Sequence, residues 1–324
     1  MAFIHLNSAL AFTVIPLEIW DCPGDIALET LKAETPLSQF AALIFVVDIQ
    51  DLYQPTITKM VETIVSLYQE NPDIDLEVFV HKSDVLSEEY KIENFRHLQQ
   101  RVMDELMYIG NEYEQLPINF QLTSIYDHSL HDAFSRVMHK LIDCLPYLED
   151  LLNVFCSNSQ SSKAFLFDIN SRLYVATDAS PVDPPTHNLC NDYLQMLNAF
   201  GPLYKSITAT SPSAPRAALP SVTPAPSRSR TTSLPGSTGS RPLSTKPLFY
   251  PSASTSLASS TAGAGAGTTL TYHLITPHLA LLALIPTTVF EARRGLVEYN
   301  VVFFREGVQE ICQVEEEARR VVQT

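Results

Sequence analysis

The chain has 324 residues, 45% of them hydrophobic, and a mean hydropathy of +0.04, enough apolar side chain for two ordinary cores in a globular protein. A formal charge of −15 argues against a nucleic-acid-binding surface, which needs clustered Lys and Arg to hold a phosphate backbone. Partners are expected to be proteins or small molecules. Five scattered cysteines with no C-x-x-C speak against a disulfide framework or a zinc site and for a reducing compartment.

In chain order, residues 1–20 are apolar, but they lack a basic leader and are interrupted by His5, Asn7 and Ser8, so secretion is not expected. Four apolar segments follow, at 14–20, 42–48, 76–81 and 118–124, and each reads as a strand. Between them, 55–70 and 88–110 carry apolar residues at helical spacing, as in Ile92, Phe95, Leu98, Val102 and Leu106. Strands alternating with helices imply a parallel sheet covered on both faces, whose ligands lie at the carboxyl ends of the strands. A helix from Asp127 or Ser129 through Leu145 is expected to stop at Pro146, with Ser129-x-x-Asp132 as a capping box, and a domain boundary is placed there.

Beyond it the pattern becomes α+β: a helix at 148–156, strands at 164–168 and 172–177, a helix at 187–200, strands at 270–275 and 279–285, and a long terminal helix. That last helix puts Val297, Val301, Phe304, Val308 and Ile311 on one stripe, which reads first as cover for its own sheet. Residues 206–268 are rich in Ser, Thr, Pro, Ala and Gly and contain no acidic residue, so they are expected to be a disordered insertion. Within it, Arg228 and Arg230 precede Ser233, a candidate for basophilic phosphorylation. The longest apolar run, 279–286, is far short of the roughly 20 residues of a membrane span, and no lipidation motif is seen, so no direct membrane insertion is expected.

Three short motifs fall at the carboxyl ends of the expected strands: Asp21-Cys22-Pro23-Gly24, His81-Lys82-Ser83-Asp84 and Leu122-Thr123-Ser124-Ile125. Guanine presents two N–H donors side by side, and a carboxylate such as Asp84 accepts both, a bidentate pair worth roughly 1–3 kcal/mol of discrimination. Lys82 can lay its stem on the purine face, and His81 can hydrogen-bond neighbouring loops. Ser124 and Ile125 would offer amides to guanine O6. Asp21 is placed to hold a water on Mg²⁺, and the Gly24 amide to meet a γ-phosphate. Yet no G-x-x-x-x-G-K-S/T occurs anywhere in the chain, so the loop that would grip the phosphates is missing from this sequence. His128, His131, His139, Asp127 and Asp132 have metal-compatible spacings but line the start of a surface helix, and no metal site is assigned to them.

On these residues the chain resembles the Rag/Gtr family of GTPases, in its RagC/RagD-like arm. The matching stretches are ALIFVVDIQ at 42–50, Asn71-Pro72, EVFVHKSD at 77–84, LTSIYDHS at 122–129, KAFLFD at 163–168, YVATD at 174–178 and SPVD at 180–183. The resemblance implies an incomplete Ras-like P-loop NTPase sheet over residues 1–145, then an α+β roadblock-type dimerisation domain over 146–324. It further implies GTP/GDP and Mg²⁺ as ligands and a RagA-like partner subunit. A vacuolar or lysosomal scaffold would hold the pair at the cytoplasmic face of that membrane, relaying amino-acid sufficiency to target-of-rapamycin complex 1.

Two departures from the family matter. Residues 1–13 do not resemble its first strand, phosphate loop, first helix or first switch, so the strands at 14–20 and 42–48 are expected to lack the partner between them. The lost phosphate contacts would cost about 10 kcal/mol. Asp25 stands where many relatives carry a water-orienting glutamine, which puts hydrolysis by this chain in doubt. The intact base-reading set suggests an alternative start upstream of Met1 and a complete protein that binds GTP; the alternative is a nucleotide-free interaction subunit.

Overall fold

The computed structural model describes residues 2–6, 17–24, 36–51, 54–113, 115–200, 250–257 and 267–322. Asp25, Ser233 and most of the expected insertion lie outside them.

The first sheet has five strands: β1 (Ala2–Leu6), β2 (Leu17–Asp21), β3 (Phe40–Asp48), β4 (Asp75–His81) and β5 (Ile118–Thr123), in the order β2-β1-β3-β4-β5. β3, β4 and β5 pair in parallel. The near-continuous apolar run FAALIFVVD explains why β3 is central, since both of its faces are covered. On one face α1 (Gln54–Glu70) presents Ile57, Met60, Val61, Ile64 and Leu67, and α2 (Glu88–Ile109) presents Leu98, Val102 and Leu106, to Leu43, Phe45, Val47, Leu76, Val78 and Val80. On the other, α3 (Ser129–Lys140) lays Ala133 and Val137 on Ile4, Ala42, Ile44 and Phe79. Glu77, 1% exposed on that second face, is paired with Lys140 and accepts a 3.1 Å bond from Gln121 Nε2.

The expected vacancy between the second and third strands is filled. β1 lies there, antiparallel to both β2 and β3, and satisfies the inner edges of each. The physical reason is that AFIHL is itself a short apolar strand, with Ile4 fully buried, and a hairpin needs no resemblance to the family's first strand to complete a ladder.

The second sheet is antiparallel throughout, in the order β7-β6-β10-β9-β8, with β6 (Lys163–Asp168), β7 (Tyr174–Thr177), β8 (Ser252–Leu257), β9 (Thr268–Leu274) and β10 (Leu279–Pro286). α4 (Leu145–Ser159) and α6 (Thr287–Val322, kinked at Arg293) cover one face, and α5 (Pro184–Phe200) covers the other. The stripe Val297, Val301, Phe304 and Val308 is buried against this sheet and α4, as its spacing implied.

Three local expectations need correction. Pro146 does not end a helix; it stands in the first turn of α4, where its missing N–H is harmless, and the preceding helix already stops at Lys140. Ser129 and Asp132 do not form a capping box: the residue at the cap is His128, with φ 59°, and the Ser129 hydroxyl is engaged by Ser124 and Asp127 instead. Inside the supposed insertion, residues 252–257 form β8 along the edge of β9, because alternation puts Ala253 and Leu257 on the α5-side core while the serines face outward. Tyr250 anchors the approach, with the Arg305 guanidinium 3.8 Å from its ring centre.

The two sheets meet at Tyr174. Its amide donates to Ser135 Oγ (3.0 Å), its hydroxyl donates to Asp132 Oδ1 (2.7 Å), and its carbonyl lies 3.2 Å from His139 Nε2, so one residue of β7 grips a full face of α3.

Candidate functional site

The carboxyl ends of β2, β3, β4 and β5 share one edge of the first sheet, because β2 is antiparallel to β1, which is in turn antiparallel to β3. All seven residues expected at the site lie at that edge, on the strand ends or in the loops that follow them. At the end of β4, Lys82 takes a left-handed conformation, φ 60°, which turns the chain into the short helical turn carrying Asp84. The Ser124 hydroxyl, on a residue with no solvent exposure, donates to Asp84 Oδ1 at 2.5 Å and so fixes the carboxylate plane. His81 Nδ1 lies 3.0 Å from Thr123 Oγ1 and ties the ends of β4 and β5 together.

The expected role of Ser124 as an amide donor is not what the geometry supports. Its N–H is committed to Ser129 Oγ at 2.7 Å. Its hydroxyl, which donates to Asp84, also accepts the Tyr126 N–H at 3.1 Å. Ile125, 63% exposed, follows with an amide that has no partner among the described residues. The loop therefore offers one donor, not two, beside one oriented carboxylate.

Lys82 is engaged by a residue the sequence reading did not single out. Its ammonium lies 2.6 Å from Asp48 Oδ2, and Asp48 Oδ1 accepts the Gln50 amide at 2.9 Å. Burial pushes the Asp48 carboxyl up, but the Lys82 ammonium and the Gln50 amide outweigh it and hold the acid below the usual range. The bond to Asp48 likewise raises Lys82. The signal for Asp48 was an acid ending a buried apolar strand, where an unpaired carboxylate would be costly.

At the other end of the edge, Asp21 closes β2 and is exposed, and the Gly24 carbonyl accepts the Lys59 ammonium at 2.5 Å. No hydrogen bond or ion pair among the described residues joins Asp21 or Gly24 to the Asp84 cluster. β2 stands three strands from β4, about 14 Å at the usual spacing. Among the described residues no group of three His, Cys, Asp or Glu converges closely enough to hold a metal ion. Among the described residues Asp84, Ser124 and the Ile125 amide form one cluster, and Asp21 and Gly24 stand apart from it.

The region described as the Gtr1/RagA G protein conserved region matches residues 5–194. The chain belongs to the Gtr1/RagA family of G proteins. It is Gtr2/RagC-like within that family: 46% identical over 202 residues to GTP-binding protein gtr2 of Schizosaccharomyces pombe, covering 62% of this chain and 62% of that protein. It is 36% identical over 303 residues to Ras-related GTP-binding protein C of Homo sapiens, covering 93% of this chain and 65% of that protein. GTP-binding protein GTR2 of Saccharomyces cerevisiae is 38% identical over 196 residues, covering 60% of this chain and 57% of its own length. The chain therefore spans about three fifths of these relatives. Among solved structures, Myxococcus xanthus MglB aligns over 52% of this chain and 90% of its own at 12% identity and a TM-score of 0.31, a likeness too low to carry an argument.

Asp84, Lys82 and Ser124 fall within the matched region, and so do the parallel strands that present them. Among the described residues no helix is long and apolar enough to cross a membrane.

Proposed function

We propose that this chain is a RagC-like subunit that reads guanine through Asp84 and works as a heterodimer with a RagA-like GTPase subunit. In this reading residues 1–145 form the G-domain portion and 146–324 the dimerisation portion. The pair is held by a scaffold on the cytoplasmic face of the vacuolar or lysosomal membrane and in the cytosol, and signals amino-acid sufficiency to target-of-rapamycin complex 1. Hydrolysis of GTP is a property suggested by the family; in this chain no residue is assigned to catalysis.

One observation carries the guanine part: Asp84 Oδ1 is fixed by Ser124, while Oδ2 has no partner among the described residues and the neighbouring Ile125 amide is open. A carboxylate held in plane beside a free N–H matches the donor pair and carbonyl of guanine and opposes adenine, which presents a donor where the amide needs an acceptor. The test is competition binding on the 324-residue chain. Guanosine compounds should displace a fluorescent guanine probe and adenosine compounds should not, and Asp84→Ala should abolish the difference. Equal displacement by both would remove the reading.

A second reading, an interaction subunit that does not depend on nucleotide, is favoured by the reversed direction of β1. Capture of a RagA-like subunit by Asp84→Ala as readily as by the unaltered chain would support it.

A further inference from the structure

We infer that Asp48 is a positioning residue of the base site: by pairing with Lys82 it draws that ammonium across to the end of β3 and keeps it off Asp84, whose second oxygen is left for the paired N–H donors of guanine. The inference rests on the guanine-reading role of Asp84 proposed above and concerns how that carboxylate is kept vacant.

Lys82 and Asp84 stand two residues apart in one short turn, opposite charges at the same strand end. A lysine carries its charge on a flexible four-carbon stem, and an ammonium beside an open carboxylate oxygen ordinarily closes on it. Here it does not. Asp84 Oδ1 accepts the Ser124 hydroxyl at 2.5 Å, no ion pair joins Lys82 to Asp84 among the described residues, and Lys82 Nζ lies instead 2.6 Å from Asp48 Oδ2. Asp48 is opposite His81 in the ladder between β3 and β4, so the Lys82 stem crosses from the end of one strand to the end of the other. The bond to Asp48 and its charge raise Lys82 most, and Asp84 adds a smaller pull in the same direction. Two carboxylates thus compete for one ammonium, and Asp48 holds it.

A purely stabilising role explains the pair less well. The ends of β3 and β4 are already joined by the Ile49 N–H, which donates to the His81 carbonyl at 2.9 Å. The Lys82 side chain is 58% exposed, a setting in which an ion pair adds little to stability. Lys82 also keeps a left-handed backbone, φ 60°, which a glycine would take without strain but without a stem or a charge. Both oxygens of Asp48 are engaged, Oδ1 by the Gln50 N–H and Oδ2 by the ammonium, so its influence on a bound base runs through Lys82.

The experiment measures guanosine and inosine affinities by calorimetry on the full chain; inosine lacks the amino group of guanine and so forms only one of the two bonds to Asp84. The unaltered chain should prefer guanosine. Asp48→Asn keeps the size of the side chain and the bond from Gln50 but turns an amide NH2 on the ammonium. The freed Lys82 should then occupy Asp84, weaken guanosine by about fivefold and bring the two nucleosides within about twofold of each other. Asp48→Glu, which keeps a carboxylate within reach of Lys82, should retain the preference. Adding Lys82→Met to Asp48→Asn removes the competing charge while keeping an unbranched stem, and should restore the preference, a recovery that a merely structural role for Asp48 would not produce. An unchanged preference in Asp48→Asn, or a double variant no better than the single one, overturns the inference and leaves the guanine reading standing. An unaltered chain that binds neither nucleoside, or both alike, removes the guanine reading and this inference with it.

Discussion

In the proposed base site Ser124 acts on Asp84 through its hydroxyl, since its amide is committed to Ser129. Replacing it with alanine leaves the Asp84 carboxylate free to rotate and should weaken guanosine binding by about tenfold, the equivalent of one hydrogen bond of about 1.4 kcal/mol, with little change in Tm. Asp84→Asn exchanges one acceptor for a donor and should shift preference from guanine toward xanthine, whose carbonyl stands where guanine has its amino group; competition with the two nucleosides reads this directly. Asp84, His81 and Lys82 were legible in the sequence because they are contiguous and end an apolar strand. Asp48 and Ser129 were not, since their work depends on partners brought in by pairing of β3 with β4 and by the turn before α3. Spacing alone cannot show that the Ser124 hydroxyl turns to Asp84 while its amide turns to Ser129.

Among the elements, α3 bears the most varied duties. Its first residue bonds the base loop, its middle lies on the first sheet, and Asp132, Ser135 and His139 hold Tyr174 of the second. Tyr174→Phe removes the hydroxyl bond to Asp132 and leaves the packing, so it should lower stability by about 1–2 kcal/mol in urea unfolding. Phe304→Ala in α6 empties a fully enclosed place against Phe155 and should cost about 3–5 kcal/mol, enough to show as a lower midpoint in the same experiment. The stripe containing Phe304 was readable from its spacing. The break before α4 was misread because a proline after a helical pattern signals both an end and a beginning, and only the intervening turn decides between them. β8 was hidden for a different reason: a Ser/Thr-rich edge strand has the composition of a linker, and its alternation is visible only once β9 lies beside it.

For the whole molecule, buried histidines set a pH response. His273, on β9 and 7% exposed, has an Nε2 without a partner; burial, with Arg305 and Arg294 adding to it, lowers its pKa to about 4. His131 is lowered to about 4 by burial and by Arg172, His128 and His187. Between these values and the ordinary 6.5 the unfolded chain binds more protons than the folded one, so their contribution is complete above pH 6.5 and is lost as pH falls toward 4. For His273 that loss is on the order of 3 kcal/mol. Thermal melts across this window should show Tm falling with acidity, and His273→Gln should flatten the slope. The division into a parallel and an antiparallel sheet was legible from alternating strands and helices followed by paired strands. The occupant of the central slot was not, because nothing in a five-residue apolar segment states its direction.

That occupant gives the first sheet an unusual seam. β3, β4 and β5 pair in parallel, whereas β1 and β2 join them through one antiparallel ladder to β3, backed by Ile4 beneath α3 and Trp20 against Phe40. Opening that ladder moves β1 and β2 as a unit and uncovers Ile4 and Trp20, while the ladders among β3, β4 and β5 stay paired. Hydrogen exchange at the β3 amides that face β1 should accordingly run faster than at those facing β4, and should respond to denaturant only weakly, the mark of local opening. A synthetic strand copying Ala2–Leu6 would compete for the same seam, and slowed exchange on adding it would identify the place where this protein's architecture can be opened and closed from outside.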